Sequence, residues 1–218
     1  MKAMRVAAMV VVVLAAGACT TTAPGAGGGR VEPTCPANTK WAVGDSVTAG
    51  IYGIAGWPDQ NPPVTPGTYA NKGVGGQTIA WLSRQTGFDF AVCDEYSVAK
   101  PSQVVFQAGS NDLANAHLTL AAMQEDIQEL VAIFNSNGVD FRLVSILPIP
   151  SNADWTSYNS QRVAFNNWLA ATYPTKYVNC DDNLRSGTWL NPAYAYGDRV
   201  HLSEAGQEVL ANCVLNEG

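Results

Sequence analysis

The chain carries two histidines, His117 and His201, so chemistry that needs an imidazole has only two places to reside. His201 closes the segment Asp198-Arg199-Val200-His201. Three-residue spacing lets one turn of backbone bring a carboxylate and an imidazole to the same spot, where the carboxylate fixes the tautomer and stabilises the imidazolium. Such a base needs a nucleophile to activate, because a serine hydroxyl is unreactive until its proton is taken. Ser46, in Gly44-Asp45-Ser46, stands at a turn among backbone N–H groups able to stabilise negative charge. Two further segments offer donors: the glycine-rich stretch Asn71-Lys72-Gly73-Val74-Gly75-Gly76-Gln77-Thr78, and Gly109-Ser110-Asn111-Asp112 with its side-chain amide. Taken singly each is a common turn sequence. Asp45 and Asp112 read as braces for their turns, and His117, in the polar run Asn115-Ala116-His117, as a solvated loop residue.

These segments fall where structural elements must end. Lys40–Val43 is strand-like and runs into Gly44-Asp45-Ser46; Thr68–Asn71 precedes the glycine cluster; Ser102–Gln107 is β-branched and apolar and precedes Gly109. Phe141–Leu147 is a fourth strand stopped by Pro148 and Pro150, and Lys176–Asn179 a short fifth. Leu120, Met123, Ile127, Leu130 and Phe134 recur at helical spacing and end at Asn137-Gly138. A second helix carries Tyr158, Phe165 and Leu169 and stops at Tyr173-Pro174; Ser203 opens a third, with Val209, Leu210, Cys213 and Val214 inward. Buried strands alternating with helices predict a three-layer α/β/α sandwich around a parallel sheet of about five strands. Ligands in such sheets sit beyond the carboxyl ends of the strands, which is where the candidate residues lie.

Other chemistries fit less well. With 12 Lys+Arg against 18 Asp+Glu and a net charge of −6, there is no basic stripe for nucleic acid. Two histidines leave no histidine-rich metal site. The Gly-x-Ser-x-Gly elbow is broken, because Thr48 follows Val47. A dinucleotide fingerprint would need glycine at Thr78. Hydrolysis by serine needs no cofactor. At 218 residues the chain suits one domain, since cores split mostly beyond roughly 250–300 residues.

The four segments together, in this order and at these strand ends, closely resemble the GDSL or SGNH hydrolase family, over essentially the whole stretch from Lys40 to Val214; the first block reads Gly-Asp-Ser-Val in place of Gly-Asp-Ser-Leu. The resemblance implies the flavodoxin-like SGNH hydrolase fold. It also implies Ser46 as nucleophile, His201 as base and Asp198 as its partner. The oxyanion hole would come from the N–H groups of Ser46 and Gly76 and the side chain of Asn111; Gly73 or Gly75 would take the place of Gly76 on a shift of register. In the sheet so implied the first and third strands are neighbours, which pairs Cys35 with Cys93 and leaves Cys180 for Cys213.

The N-terminus reads as an export signal. Lys2 and Arg5 precede an apolar run from Val6 to Ala16, too short to span a bilayer as a mature helix, and small residues follow. Residues 1–18 are expected to be cleaved, 19–34 to form a flexible tether, and 35–218 to fold as the hydrolase domain. Ala16-Gly17-Ala18 suits a signal peptidase, while Leu-Ala-Ala-Gly-Ala-Cys resembles a lipobox ending at Cys19; the Thr/Gly/Ala tether favours lipidation of Cys19 and an envelope location over plain secretion. Lipidation removes one of five cysteines, leaving an even set for disulfides in an oxidising compartment.

Trp57, Tyr69, Trp155, Trp189, Tyr194 and Tyr196 are candidates to stack on sugar or to line an acyl pocket, or simply to pack loops. The absence of a long Leu/Phe-rich lid sequence favours short acyl groups such as acetyl on small molecules or carbohydrate. Three functions follow: an ester hydrolase working through an acyl-enzyme, an envelope acyltransferase passing the acyl group to a sugar hydroxyl, and a non-catalytic carbohydrate-binding module. The full set of site residues favours the first, as a monomer with a membrane link only through the lipid anchor.

Overall fold

The computed structural model describes residues 40–151, 157–198 and 200–217. β1 (Lys40–Gly44) leads into a four-residue helix α1 (Ser46–Ala49) and a small hairpin, β2 (Gly50–Ile51) and β3 (Ile54–Ala55). β4 (Tyr69–Gly73) is followed by α2 (Ile79–Glu95), β5 (Gln103–Gln107), the short α3 (Ser110–Ala114), α4 (Leu120–Ser136) and β6 (Asp140–Val144). Then come α5 (Tyr158–Thr172), β7 (Tyr177–Val178), α6 (Asp181–Leu184), a second hairpin β8 (Arg185–Ser186) and β9 (Trp189–Leu190), and α7 (Glu204–Glu217).

β1, β4, β5, β6 and β7 form one sheet in the order β4-β1-β5-β6-β7, with every neighbouring pair parallel. Side chains alternate between its faces. Trp41, Val43, Val104 and Phe106 face one core with Leu82, Phe90, Met123, Ile127, Leu130, Phe134, Phe165 and Leu169 of α2, α4 and α5. Ala42, Val105, Val144 and Val178 face the other, with Trp57 and Leu210, Ala211 and Val214 of α7. This is the α/β/α sandwich that the strand–helix alternation predicts.

Three sequence expectations are corrected. The stretch 79–95, given no element by its pattern, is a five-turn helix whose buried face includes Ser83, Thr86 and Asp89; Asp89 is paired with Lys72 of β4 at 3.2 Å. The fourth strand ends at Val144, so Ser145, Ile146 and Leu147 leave the sheet although they stay buried. The fifth runs only from Tyr177 to Val178, shorter than Lys176–Asn179, and Cys180 stands at the N-cap of α6.

Chain order reverses around β1: the chain goes from β1 out to β4 on one side and then to β5 on the other. The crevice of such a sheet opens between the carboxyl ends of the two strands flanking the reversal, here β1 and β5. Gly44 pairs level with both Gly73 and Gln107, so the segments after β1, β4 and β5 emerge together on that rim.

Candidate active site

Ser46 is the first residue of α1, and Asp45 is its N-cap, accepting from the Val47 amide at 3.0 Å. So short a helix leaves its carbonyls to be satisfied from outside. Gln207 of α7 donates to the Val47 carbonyl at 3.0 Å, and Asn71 of β4 donates to the Thr48 carbonyl at 2.9 Å. The turn that carries Ser46 is thereby held from two sides.

Ser46 Oγ lies 2.8 Å from His201 Nε2, and His201 Nδ1 lies 2.5 Å from Asp198 Oδ2. The other Asp198 oxygen accepts from the Val200 and His201 amides, both at 3.0 Å. Burial works against the Asp198 charge, but the amides of His201 and Val200 and the His201 ring outweigh it, holding the carboxyl below its usual range. The carboxylate therefore stays ionised and fixes the imidazole with Nδ1–H toward itself and Nε2 free to accept from Ser46. Ser203 accepts from the Gly206 amide at 3.3 Å, so α7 starts directly after His201.

Asn111 sits in the first turn of α3. Its amide nitrogen donates to the Gln77 carbonyl at 3.1 Å, and its oxygen accepts from Asn115 at 2.9 Å. The second N–H of that amide remains for a ligand. Asp112 beside it is buried and accepts the Ile79 amide on both oxygens, at 3.1 and 3.2 Å. Asn111 and Asp112 thus grip the two ends of the Gln77–Ile79 stretch, which carries the glycine loop into α2. Burial pushes Asp112 up to about 7 and Asp45 up to about 6.

Geometry distinguishes the three glycines. A β-carbon on Gly73 would fall 2.2 Å from the Ala49 nitrogen, so this residue permits β4 to pass against α1. Gly75 and Gly76 instead line the cavity with Ser46, Asn111 and His201, and Gly76 has a φ of 77°. The cavity holds about 380 Å³ and has apolar walls of Val47, Ile51, Ala114, Leu147, Pro148, Ile149 and Leu202. The Leu147–Ile149 wall escaped the sequence reading, although Pro148 and Pro150 mark another strand end on the same rim. Ser110 helps to seat it: Tyr158 Oη lies 3.0 Å from the Leu147 carbonyl and 2.9 Å from Ser110 Oγ. The carbonyl can only accept, so the phenol donates to it.

His117 is exposed, with φ 50°, and does not line the cavity that Ser46 and His201 share. Among the proposed aromatics, Trp57 and Tyr69 are buried against each other with ring centroids 5.1 Å apart. Trp189 and Tyr194 are half-buried against the two cores, and Trp155 lies outside the described residues. Tyr196 is half-exposed and stacks on Tyr52, a residue the sequence reading missed. Cys180 and Cys213 are joined by a disulfide. Cys93, on the last turn of α2, is also disulfide-bonded; Cys35 and Cys19 lie outside the described residues, as do the signal segment and tether.

Comparison with solved structures shows the same fold. A GDSL-like lipase from Bacteroides thetaiotaomicron superposes with a TM-score of 0.63 at 20% identity, covering 82% of this chain and 86% of that one. A lipase/acylhydrolase from Enterococcus faecalis gives 0.62 at 18%, covering 83% and 94%. A catalytic mutant of an acetylxylan esterase from Geobacillus stearothermophilus gives 0.59 at 19%, covering 85% and 95%. No curated protein matches by sequence. The family model of GDSL-like lipases and acylhydrolases, however, matches residues 42–209, a span running from β1 through His201 into α7. The chain belongs to the GDSL-like lipase/acylhydrolase family and is a hydrolase acting on ester bonds.

Proposed function

We propose that the protein cleaves short-chain acyl esters, acetyl esters of carbohydrate or small molecules foremost, through an acyl-enzyme on Ser46. The observation that carries this reading is the chain Ser46 Oγ–His201–Asp198, with contacts of 2.8 and 2.5 Å, in the wall of a cavity that also presents Gly75, Gly76 and Asn111. Ser46 Oγ attacks the ester carbonyl as its proton passes to His201 Nε2. The carbonyl oxygen becomes an anion, received by the N–H groups of Ser46 and Gly76 and by the free N–H of Asn111. The intermediate collapses, His201 hands its proton to the departing alkoxide, and water repeats the cycle on the acyl-enzyme. Because Ser46 and His201 both stand in the wall, about 380 Å³ must admit parts of both halves of the ester, which favours a small acyl group.

The same reading covers the chain outside the described residues: export directed by residues 1–18, a lipid on Cys19 and a tether to residue 34. The disulfide suits such an oxidising location. The test is hydrolysis of p-nitrophenyl esters from acetyl to palmitoyl, with and without a sugar acceptor, together with fluorophosphonate labelling. Turnover is expected to fall with chain length, and Ser46→Ala is expected to abolish turnover and labelling. Labelling that survives Ser46→Ala refutes the nucleophile assignment; acceptor-stimulated release with acylated sugar as product assigns the protein to acyl transfer.

A further inference from the structure

Next to the candidate base lies an aromatic pair that ester cleavage as described leaves unused. The hairpin β2–β3 turns at Tyr52-Gly53, both at positive φ, 55° and 80°. Two such residues make a type I′ turn, whose first central position ordinarily holds Asn, Asp or Gly because a bulky side chain is strained there. Burial in a core would offset the strain, yet Tyr52 is 60% exposed. Its ring instead stacks on Tyr196, with centroids 5.0 Å apart and planes 18° apart, and stands edge-on to the His201 imidazole at 6.1 Å. Tyr196 is anchored by its amide, which donates to the His201 carbonyl at 2.8 Å. It also borders a second recess with Pro150, Ser151 and Pro192. Strain retained in an aromatic that is still 60% exposed beside the candidate site, beyond what its stack on Tyr196 covers, points to a ligand.

We infer that the Tyr52–Tyr196 stack is a platform for the alcohol half of the ester, and that this half is a sugar ring. The inference rests on the ester-hydrolase reading for the placement of the two halves. Asn111 and the glycine loop fix the acyl carbonyl on their side of Ser46, while His201 Nε2 must reach the leaving oxygen to protonate it. The alcohol half therefore departs past His201, where the tyrosines stand. A sugar ring has a C–H face that packs on an aromatic ring, and hydroxyls that bond with the phenol groups, Ser151 and water. The stack on Tyr196 holds Tyr52 in place, so little side-chain freedom is lost on binding.

The test uses the full chain and has two readouts. The first is binding of unesterified xylobiose and cellobiose by calorimetry to the wild type, Tyr52→Phe and Tyr52→Asn. Asn suits the turn, so that variant is expected to melt at or above the wild-type temperature while binding disaccharide roughly tenfold more weakly; Tyr52→Phe keeps the ring and stays within about threefold. The second is the ratio of kcat/KM on acetylated xylobiose to that on ethyl acetate, expected to fall roughly tenfold in Tyr52→Asn. No disaccharide binding by the wild type, an unchanged affinity in Tyr52→Asn, or parallel losses on both esters overturns the platform. No turnover of either ester by the wild type overturns the hydrolytic reading instead, while the binding readout still decides the platform.

Discussion

Replacing Asp198 by Asn changes one atom's chemistry and almost no volume, and the structure dictates how the new side chain must sit. One Asp198 oxygen faces two donors, the amides of Val200 and His201 at 3.0 Å each; the other faces His201 Nδ1 at 2.5 Å. An NH₂ group cannot face two N–H donors, so the Asn oxygen takes the amides and its NH₂ is turned toward the imidazole. Nδ1 must then accept, which moves the ring proton to Nε2 and leaves Ser46 Oγ, 2.8 Å away, facing a donor where it needs a base. Inverting the tautomer of a serine hydrolase in this way costs about 10⁴ in kcat, or about 5.5 kcal/mol of barrier. The assay is steady-state hydrolysis of p-nitrophenyl acetate, joined to ¹⁵N spectra of histidine-labelled protein, in which the two histidines give two assignable pairs of nitrogen signals. The neutral wild-type ring should carry its proton on Nδ1 and the variant on Nε2. A kcat within tenfold of wild type refutes the role of Asp198; a full loss with the Nδ1–H tautomer retained refutes the tautomer argument.

Asn111→Ala removes one of the proposed donors to the developing anion and is expected to lower kcat about 10²–10³-fold with folding retained; circular dichroism and kcat together check this, and loss of the fold or an unchanged kcat contradicts it. Asp112 is held near 7 by burial, against an ordinary 3.8. Between those values the folded state keeps a proton that the unfolded chain releases, so this stabilisation is full below about pH 4 and lost as pH rises through about 7, up to about 4 kcal/mol. Asp112→Asn still accepts from Ile79 and cannot titrate, so urea melts should show it gaining on the wild type by that amount from pH 4 to pH 8; parallel curves contradict the assignment. Cys213→Ser opens a loop of sequence separation 33 and should lower unfolding free energy by about 3–4 kcal/mol, and a shift under about 1 kcal/mol in a denaturant titration contradicts that.

The candidate site residues were more legible than the frame that carries them. Ser46 and Asn111 are local features just after strands, and Asp198 and His201 form a three-residue motif just before α7; the rule that ligands sit beyond strand ends needs only the strands, of which Gln103–Gln107 is plainly β-branched and apolar. Helix 79–95 was illegible because its buried face is partly polar: Thr86 bonds back to the Leu82 carbonyl at 2.8 Å and Asp89 meets Lys72, partners that only the tertiary structure supplies. Lys72 in turn sits over the Trp41 ring at 4.6 Å, a contact that joins residues 31 apart in the chain. Trp57, a candidate to stack on sugar, line an acyl pocket or pack loops, is buried against Tyr69, its indole nitrogen finding Thr48 Oγ1 at 3.3 Å. Tyr52 was missed for the opposite reason. Its ring faces solvent through a left-handed turn that no hydrophobic period announces.

The bond between Cys180 and Cys213 closes a ring of chain that contains Asp198 and His201 but neither Ser46 nor Asn111. The hairpin of β8 and β9, with Arg185, Ser186, Gly187 and Thr188 all exposed, lies inside that ring. A protease cut there would leave the two pieces joined through sulfur, with His201 still tethered to the half-molecule that holds Ser46. Such a nicked protein would migrate as a single species until a thiol was added, and would then part into two pieces. Resistance to breakage, and not only to unfolding, is thus written into where the two cysteines fall.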